Sequence, residues 1–148
     1  MDICFVSPEN RDFRSLAAQL DAYYYTLVGD VQDRYADVNR PENMDALAVA
    51  YVGEKAVACG AWKARGQTIA EIKRIYVLPE YRRQGVATAL IRALEENALA
   101  KGMRKFLLET ATTTGQSHGL YLSLGYRITD YYGSPAGAEN CLCFVKEC

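Results

Sequence analysis

Hydrophobic positions recur along this chain with two periods, and where the period changes the chain turns. Residues 2–6 read as a short strand. Ser7-Pro8 then supplies an N-cap and a first-turn proline for a helix in which Phe13, Leu16, Ala17, Leu20 and Leu27 return at helical spacing. Gly29 stops that helix, and a weaker one is predicted over 30–38. Three strand-like runs follow, 47–52, 56–64 and 68–77, separated by turns at Gly53-Glu54-Lys55 and Gly66-Gln67, and they form an antiparallel meander. Leu78-Pro79 ends the third run, because proline has no N–H to give a ladder. After a loop over 80–84, Val86, Ala87, Leu90, Ile91, Leu94 and Ala98 trace one stripe of a helix over 85–101, and Gly102 fits the left-handed position past its end. The short apolar run over 104–109 follows closely enough to be the second strand of a parallel crossover. A loop over 110–115 leads to a short helix over 116–124 closed by Gly125, then to two final strands over 126–131 and 141–146. The order is βα(α)βββαβαββ, an α+β or mixed α/β plan with a mostly antiparallel sheet, one parallel crossover and flanking helices.

At 148 residues the chain fits one domain spanning 1–148. Half of it is hydrophobic and 24% is charged, so it can bury a core, and its net charge of −1 gives no field that would draw a nucleic acid. No uncharged run reaches bilayer length and no basic stretch leads into an apolar block, so neither a membrane span nor a signal peptide is expected. The five cysteines, Cys4, Cys59, Cys141, Cys143 and Cys148, form neither a CxxC pair nor a disulfide framework, which points to reduced thiols in the cytoplasm. Cys141 and Cys143 would share one face of a strand as small buried hydrophobes. His118 is the one histidine, read as an exposed helix residue, and multi-histidine zinc sites are excluded. No metal site is expected.

Chemistry concentrates at Val77-Leu78-Pro79-Glu80-Tyr81-Arg82-Arg83-Gln84-Gly85-Val86-Ala87-Thr88, where a buried strand stops and an amphipathic helix begins. The first amides of a helix lack intrahelical acceptors and the dipole there favours negative charge, so this junction is a cradle for a pyrophosphate. Gly85 removes a Cβ that would block close approach, Ala87 keeps the next position small, and Arg82 and Arg83 can neutralise phosphate charge. Neither a G-x-G-x-x-G with an acidic partner nor a G-K-[ST] is present, which argues against a dinucleotide fold or a P-loop.

This segment resembles the GNAT acetyltransferase superfamily, whose motif Q/R-x-x-G-x-G/A reads here Arg82-x-x-Gly85-x-Ala87. The strand Glu71-Ile72-Lys73-Arg74-Ile75-Tyr76-Val77 before it, the long helix after it and Leu120-Tyr121-x-x-x-Gly125-Tyr126 extend the resemblance over about 47–145. It implies direct transfer of an acetyl group from acetyl-CoA to an amine, without a metal or a covalent enzyme intermediate. The amides of Arg83, Gln84, Gly85, Val86, Ala87 and Thr88 would hold the pyrophosphate. Ile75, Tyr76 and Val77 would pair with the pantetheine arm, lodged in a splay between that strand and the one ending at Glu109. Tyr121 stands where the family places its general acid; the competing reading is a core tyrosine.

Two carboxylates, Glu71 inside a strand and Glu109 at the end of its neighbour, compete for the base, with Glu71 favoured; the alternative for Glu71 is an ion pair with Lys73. The amide of Val77 would donate to the oxyanion, which needs a backbone irregularity. Thr114 and Ser117 replace residues the family often carries before the tyrosine, and their hydroxyls can still reach the cofactor. The acceptor, expected to be a small amine or amino acid, would meet the N-terminal helices with Tyr23, Tyr24, Tyr25 and Tyr35, the Trp62 strand and a loop over 131–139. Competing readings are acetylation of a protein N-terminus or lysine, and a non-catalytic acyl-CoA-binding domain. The oligomeric state, a homodimer included, is left open.

Overall fold

The structure, a computed structural model, describes residues 1–28, 39–111, 115–130 and 141–147. The weaker helix over 30–38 with Tyr35, the stop at Gly29, Thr114 and the loop over 131–139 lie outside those residues. The elements are β1 (Asp2–Val6), α1 (Arg11–Val28), β2 (Ala46–Val52), β3 (Lys55–Ala64), β4 (Ile69–Val77), α2 (Val86–Ala100), β5 (Lys105–Ala111), α3 (Gly115–Ser123), β6 (Arg127–Thr129) and β7 (Cys141–Glu147). They make one seven-stranded sheet in the order β1-β2-β3-β4-β5-β7-β6. All neighbours are antiparallel except β4 and β5. The predicted mixed sheet, with its parallel pair in the middle, is the sheet observed.

Helix α1 begins three residues later than Ser7-Pro8 suggests. The backbone of Ser7 instead accepts a turn bond from Asn10, and the Asn10 side chain takes the amide of Phe13 at 2.9 Å, so asparagine is the cap. Phe13, Leu16, Ala17 and Leu20 then bury one stripe of α1 against the sheet. On the opposite face Val86, Leu90, Ile91, Leu94 and Ala98 of α2 do the same. Trp62 is core rather than pocket: it is 1% exposed and donates its indole N–H to Asn97 of α2 at 2.9 Å. Strand ends differ from those predicted by one to three residues: β6 covers only Arg127–Thr129, β7 runs to Glu147 and β5 runs on to Ala111.

Two irregularities in β4 prepare the site. Its register to β3 slips by one residue between the pairs Cys59–Tyr76 and Ala61–Lys73, so Arg74 and Ile75 oppose the single residue Gly60. This is a β-bulge, and Arg74 adopts it with φ +62. A Cβ on Gly60 would lie 2.6 Å from Ile75 Cδ1 and 2.9 Å from Leu94 Cδ1, which explains the glycine. Arg74 is held in place by bonds from its guanidinium to the Ala17 carbonyl (3.1 Å) and to Asp21 (2.8 Å), which tie α1 to the bulge. The second irregularity is a parting of strands. Pairing of β4 with β5 ends at Ile72 and Leu108, while the strands run on to Val77 and Ala111.

Candidate active site

A cleft of about 830 Å³ opens where β4 and β5 part. Its floor is Ile75, Tyr76 and Val77, one wall is the turn and first residues of α2, and the other is Thr110 with Ser117, Leu120 and Tyr121 of β5 and α3. Leu20, Tyr23 and Tyr24 of α1 close one end. Sequence reasoning placed Ile75, Tyr76, Val77, Arg82, Arg83, Gly85, Val86, Ala87, Thr88 and Tyr121 here, and all of them line it. Gln84 does not; its side-chain amide donates to the Glu80 carbonyl at 3.1 Å. Pro79, Tyr81 and Leu120, quoted within the motifs but given no role, also line it. Leu20 and Thr110 were missed, and three-dimensional packing brings them in, although Thr110 directly follows a predicted strand end.

The cradle at α2 is built from backbone. Arg83 and Gly85 both have positive φ, +63 and +80, and the first helical bond runs from the Ala89 amide to the Gly85 carbonyl. The amides of Val86, Ala87 and Thr88 therefore have no helical acceptor, and no side chain caps the helix start. A Cβ on Gly85 would meet nothing within 4 Å in the protein itself, so φ, rather than crowding by the chain, selects glycine here. The charged residues of the described lining are Arg82 and Arg83. Uncapped amides, a helix dipole and two cations suit a diphosphate. Arg82 is not simply a solvated cation, because its Nε donates to the Val77 carbonyl at 2.9 Å and its guanidinium lies 5.6 Å from the centre of the Tyr76 ring.

Val77 itself is aimed by the ladder. The Leu78 amide donates to the Val57 carbonyl at 2.9 Å, which makes 57 and 78 a hydrogen-bonded pair and 58 and 77 a non-bonded one. The Val77 N–H and C=O consequently point away from β3, towards the side where β5 departs. Across the cleft, Tyr121 packs edge-on against Phe144 with ring centres 5.5 Å apart. It is 7% exposed, so it is a core tyrosine and a cleft residue at once. Burial pushes its phenol well above the usual tyrosine range; nearby Tyr24 adds to the shift and a hydrogen bond with Ser117 opposes it.

Neither candidate base lines the cleft. Glu71, 2% exposed, is 2.9 Å from Arg65 and 3.9 Å from Lys73, the ion pair that the sequence offered as its alternative. Burial lowers the Lys73 ammonium below its ordinary value, against the opposing pull of Glu71 and Glu109. Glu109 lies one residue past the last β4 partner in β5, on the parted end. His118 is half-buried against Phe144 (5.7 Å between ring centres) and lies outside the cleft, where the sequence had suggested an exposed residue. Of the three consecutive tyrosines, Tyr23 and Tyr24 reach the cleft and Tyr25 faces away. Cys59 and Cys143 are buried free thiols and Cys4 an exposed one.

Residues 10–126 match the family model for the acetyltransferase (GNAT) family. The chain belongs to that family. It is 33% identical over 92 residues to the uncharacterized N-acetyltransferase YjcF of Bacillus subtilis, covering 62% of this chain and 63% of that one. With an aminoglycoside N(6')-acetyltransferase type 1 from Acinetobacter genomosp. 13 it shares 37% identity over 62 residues, 42% of each. The chain spans from 30% to 63% of the length of the first curated relatives it matches. Its fold superimposes on the crystal structure of a GNAT family acetyltransferase from Elizabethkingia anophelis with acetyl-CoA bound, with a TM-score of 0.75 at 19% identity over 99% of this chain and 97% of that one. Among the described residues no helix is long and apolar enough to cross a membrane.

Proposed function

We propose that this GNAT protein is an N-acetyltransferase that moves the acetyl group of acetyl-CoA directly to the amine of a small molecule. The observation that carries the reading is the uncapped start of α2, with Arg83 and Gly85 in left-handed conformations, opening on the gap where β4 and β5 part. When bound, acetyl-CoA supplies a thioester whose acyl carbon accepts the amine, so that a C–N bond forms and the C–S bond breaks.

Each demand of that exchange is met by a group at hand. The amides of Val86, Ala87 and Thr88, with Arg83, take the diphosphate. The open edge of β4 over 73–77 offers main-chain groups to an extended arm, as an added strand would use them. The Val77 N–H donates to the oxygen on which charge develops. Tyr121, kept protonated by its burial, gives its proton to the departing thiolate. Of the two carboxylates, Glu109 is the better placed to take the ammonium proton through water, because it stands beyond the last β4 partner on the parted end of β5, whereas Glu71 is within the paired stretch. Leu20, Tyr23 and Tyr24 form the acceptor end. Similarity to the aminoglycoside acetyltransferases supports a small-molecule amine rather than a polypeptide, and buried reduced thiols support a cytoplasmic setting.

Two measurements test the reading. Titration calorimetry with CoA is expected to give saturable binding below millimolar Kd. CoA-thiol release from acetyl-CoA is expected in the presence of at least one of kanamycin, lysine, spermidine or tyramine. Binding without release from any amine would support the non-catalytic alternative, and no binding would remove the proposal.

A further inference from the structure

Two adjacent arginines stand at the mouth of the cradle, and the structure treats them differently. Arg83 lies in the left-handed turn and lines the cleft. Arg82 is turned back on its own strand: its Nε donates to the Val77 carbonyl and its guanidinium lies over Tyr76. The peptide joining Val77 to Leu78 is thereby pinned at both ends, its C=O by Arg82 at 2.9 Å and its N–H by the Val57 carbonyl at 2.9 Å. That peptide is the last of β4, past the bulge and past the last β5 partner, so the ladder restrains it from one side only. The restraint on the other side is Arg82.

We infer that Arg82 is a positioning residue: by holding the Val77 carbonyl it fixes the backbone conformation of Val77, whose N–H, carried on the preceding Tyr76–Val77 peptide, is to meet the developing oxyanion, while Arg83 answers the phosphate charge. The inference rests on the acetyl-transfer reading above. What Arg82 contributes is one N–H donor at Nε, an uncharged task as far as Val77 is concerned. A glutamine at 82 would carry its Nε2 the same number of bonds from the backbone, so it can keep that donor while losing the positive charge. The two roles for Arg82 therefore part company in one substitution: a phosphate-binding arginine is not replaced by glutamine, and a carbonyl-bracing one is.

The experiment compares wild type, R82A, R82Q and R83A. CoA affinity is read by calorimetry, and thiol release from saturating acetyl-CoA is read with water alone as acceptor, so that no acceptor need be known. R82A is expected to lower the turnover number by about thirtyfold, somewhat less than the loss of an oxyanion donor itself, while the Kd for CoA stays within about threefold. R82Q is expected to recover most of that loss, and R83A to weaken CoA binding about fivefold. The inference is overturned if R82A weakens CoA binding tenfold or more with turnover retained, or if R82Q is as slow as R82A. Wild-type protein that binds no CoA would overturn this inference together with the reading beneath it; wild-type turnover matched by R82A would overturn this inference alone.

Discussion

Replacing Gly85 by alanine separates conformation from space at the heart of the cradle. Gly85 has φ +80, a region in which an L-residue costs about 1–2 kcal/mol, and a Cβ there would touch nothing within 4 Å. Sterics from the protein contribute nothing, so the whole effect of G85A should be backbone strain. If the turn keeps its shape, the strain appears as lost stability of about 1–2 kcal/mol, or about 3–8 °C in Tm for a chain of this size. If the turn relaxes instead, stability recovers and the same energy is charged to ligand binding, which must rebuild the turn, weakening CoA by about 5- to 30-fold. Thermal denaturation of the free protein and calorimetry with CoA, read together, should therefore sum to roughly the same 1–2 kcal/mol whichever route is taken. Asparagine tolerates the left-handed region better than alanine does, so G85N should be the milder variant in the free protein despite its greater bulk. The reasoning fails if G85A loses neither stability nor affinity, or if damage to the free protein rises with side-chain size.

Three other outcomes follow from the same geometry. Y121F should retain its packing on Phe144 and its CoA affinity yet lose about 100-fold in turnover, the scale of a general acid; unchanged turnover would return Tyr121 to a purely structural part. E109Q should flatten the rise of kcat/KM with pH, whereas E71Q should act mainly on Tm by leaving Arg65 and Lys73 without their buried partner; the reverse pattern would restore Glu71 as the base. Burial pushes the Cys59 thiol from 9.0 up to about 12, so its protonated form is favoured more in the folded than in the unfolded chain. That stabilisation is complete below pH 9 and is lost as pH rises towards 12, so the Tm of wild type should fall more steeply than that of C59A between pH 8.5 and about 11. Equal slopes would show that the thiol does not share in the alkaline loss.

Periodicity was enough to order every described element, because strands and helices that bury one face must repeat every second or every third to fourth residue. The motif from Arg82 to Ala87 was legible for a related reason: a helix start with glycine and no capping side chain is written in neighbouring residues. What stayed hidden is what depends on distant partners. The cap of α1 was assigned to Ser7 because a serine before a proline is a strong local start, and only the Asn10 bond to Phe13 shows that the helix begins later. The bulge at Arg74 is set by Gly60 across the ladder and by α1 above it, so no window on β4 alone contains it. The Trp62 strand was expected at the acceptor pocket, but Trp62 is buried against Asn97, 35 positions away, and no residue of β3 lines the cleft. Arg82 was placed at the cleft by its motif, and the bond from its Nε to the Val77 carbonyl is visible only in the folded chain.

The two ends of the cleft are made of different material. At the start of α2 the uncapped donors are the main-chain amides of Val86, Ala87 and Thr88, a group that every residue except proline carries, so most substitutions at these positions leave them standing. At the opposite end the surface is Leu20, Tyr23 and Tyr24, whose shape changes with every exchange. Under the proposed acetyl-transfer reading, mutation can thus reshape the α1 end of the cleft while leaving the amides at the start of α2 untouched, and a search for new acceptors in the laboratory should begin at Tyr23 and Tyr24.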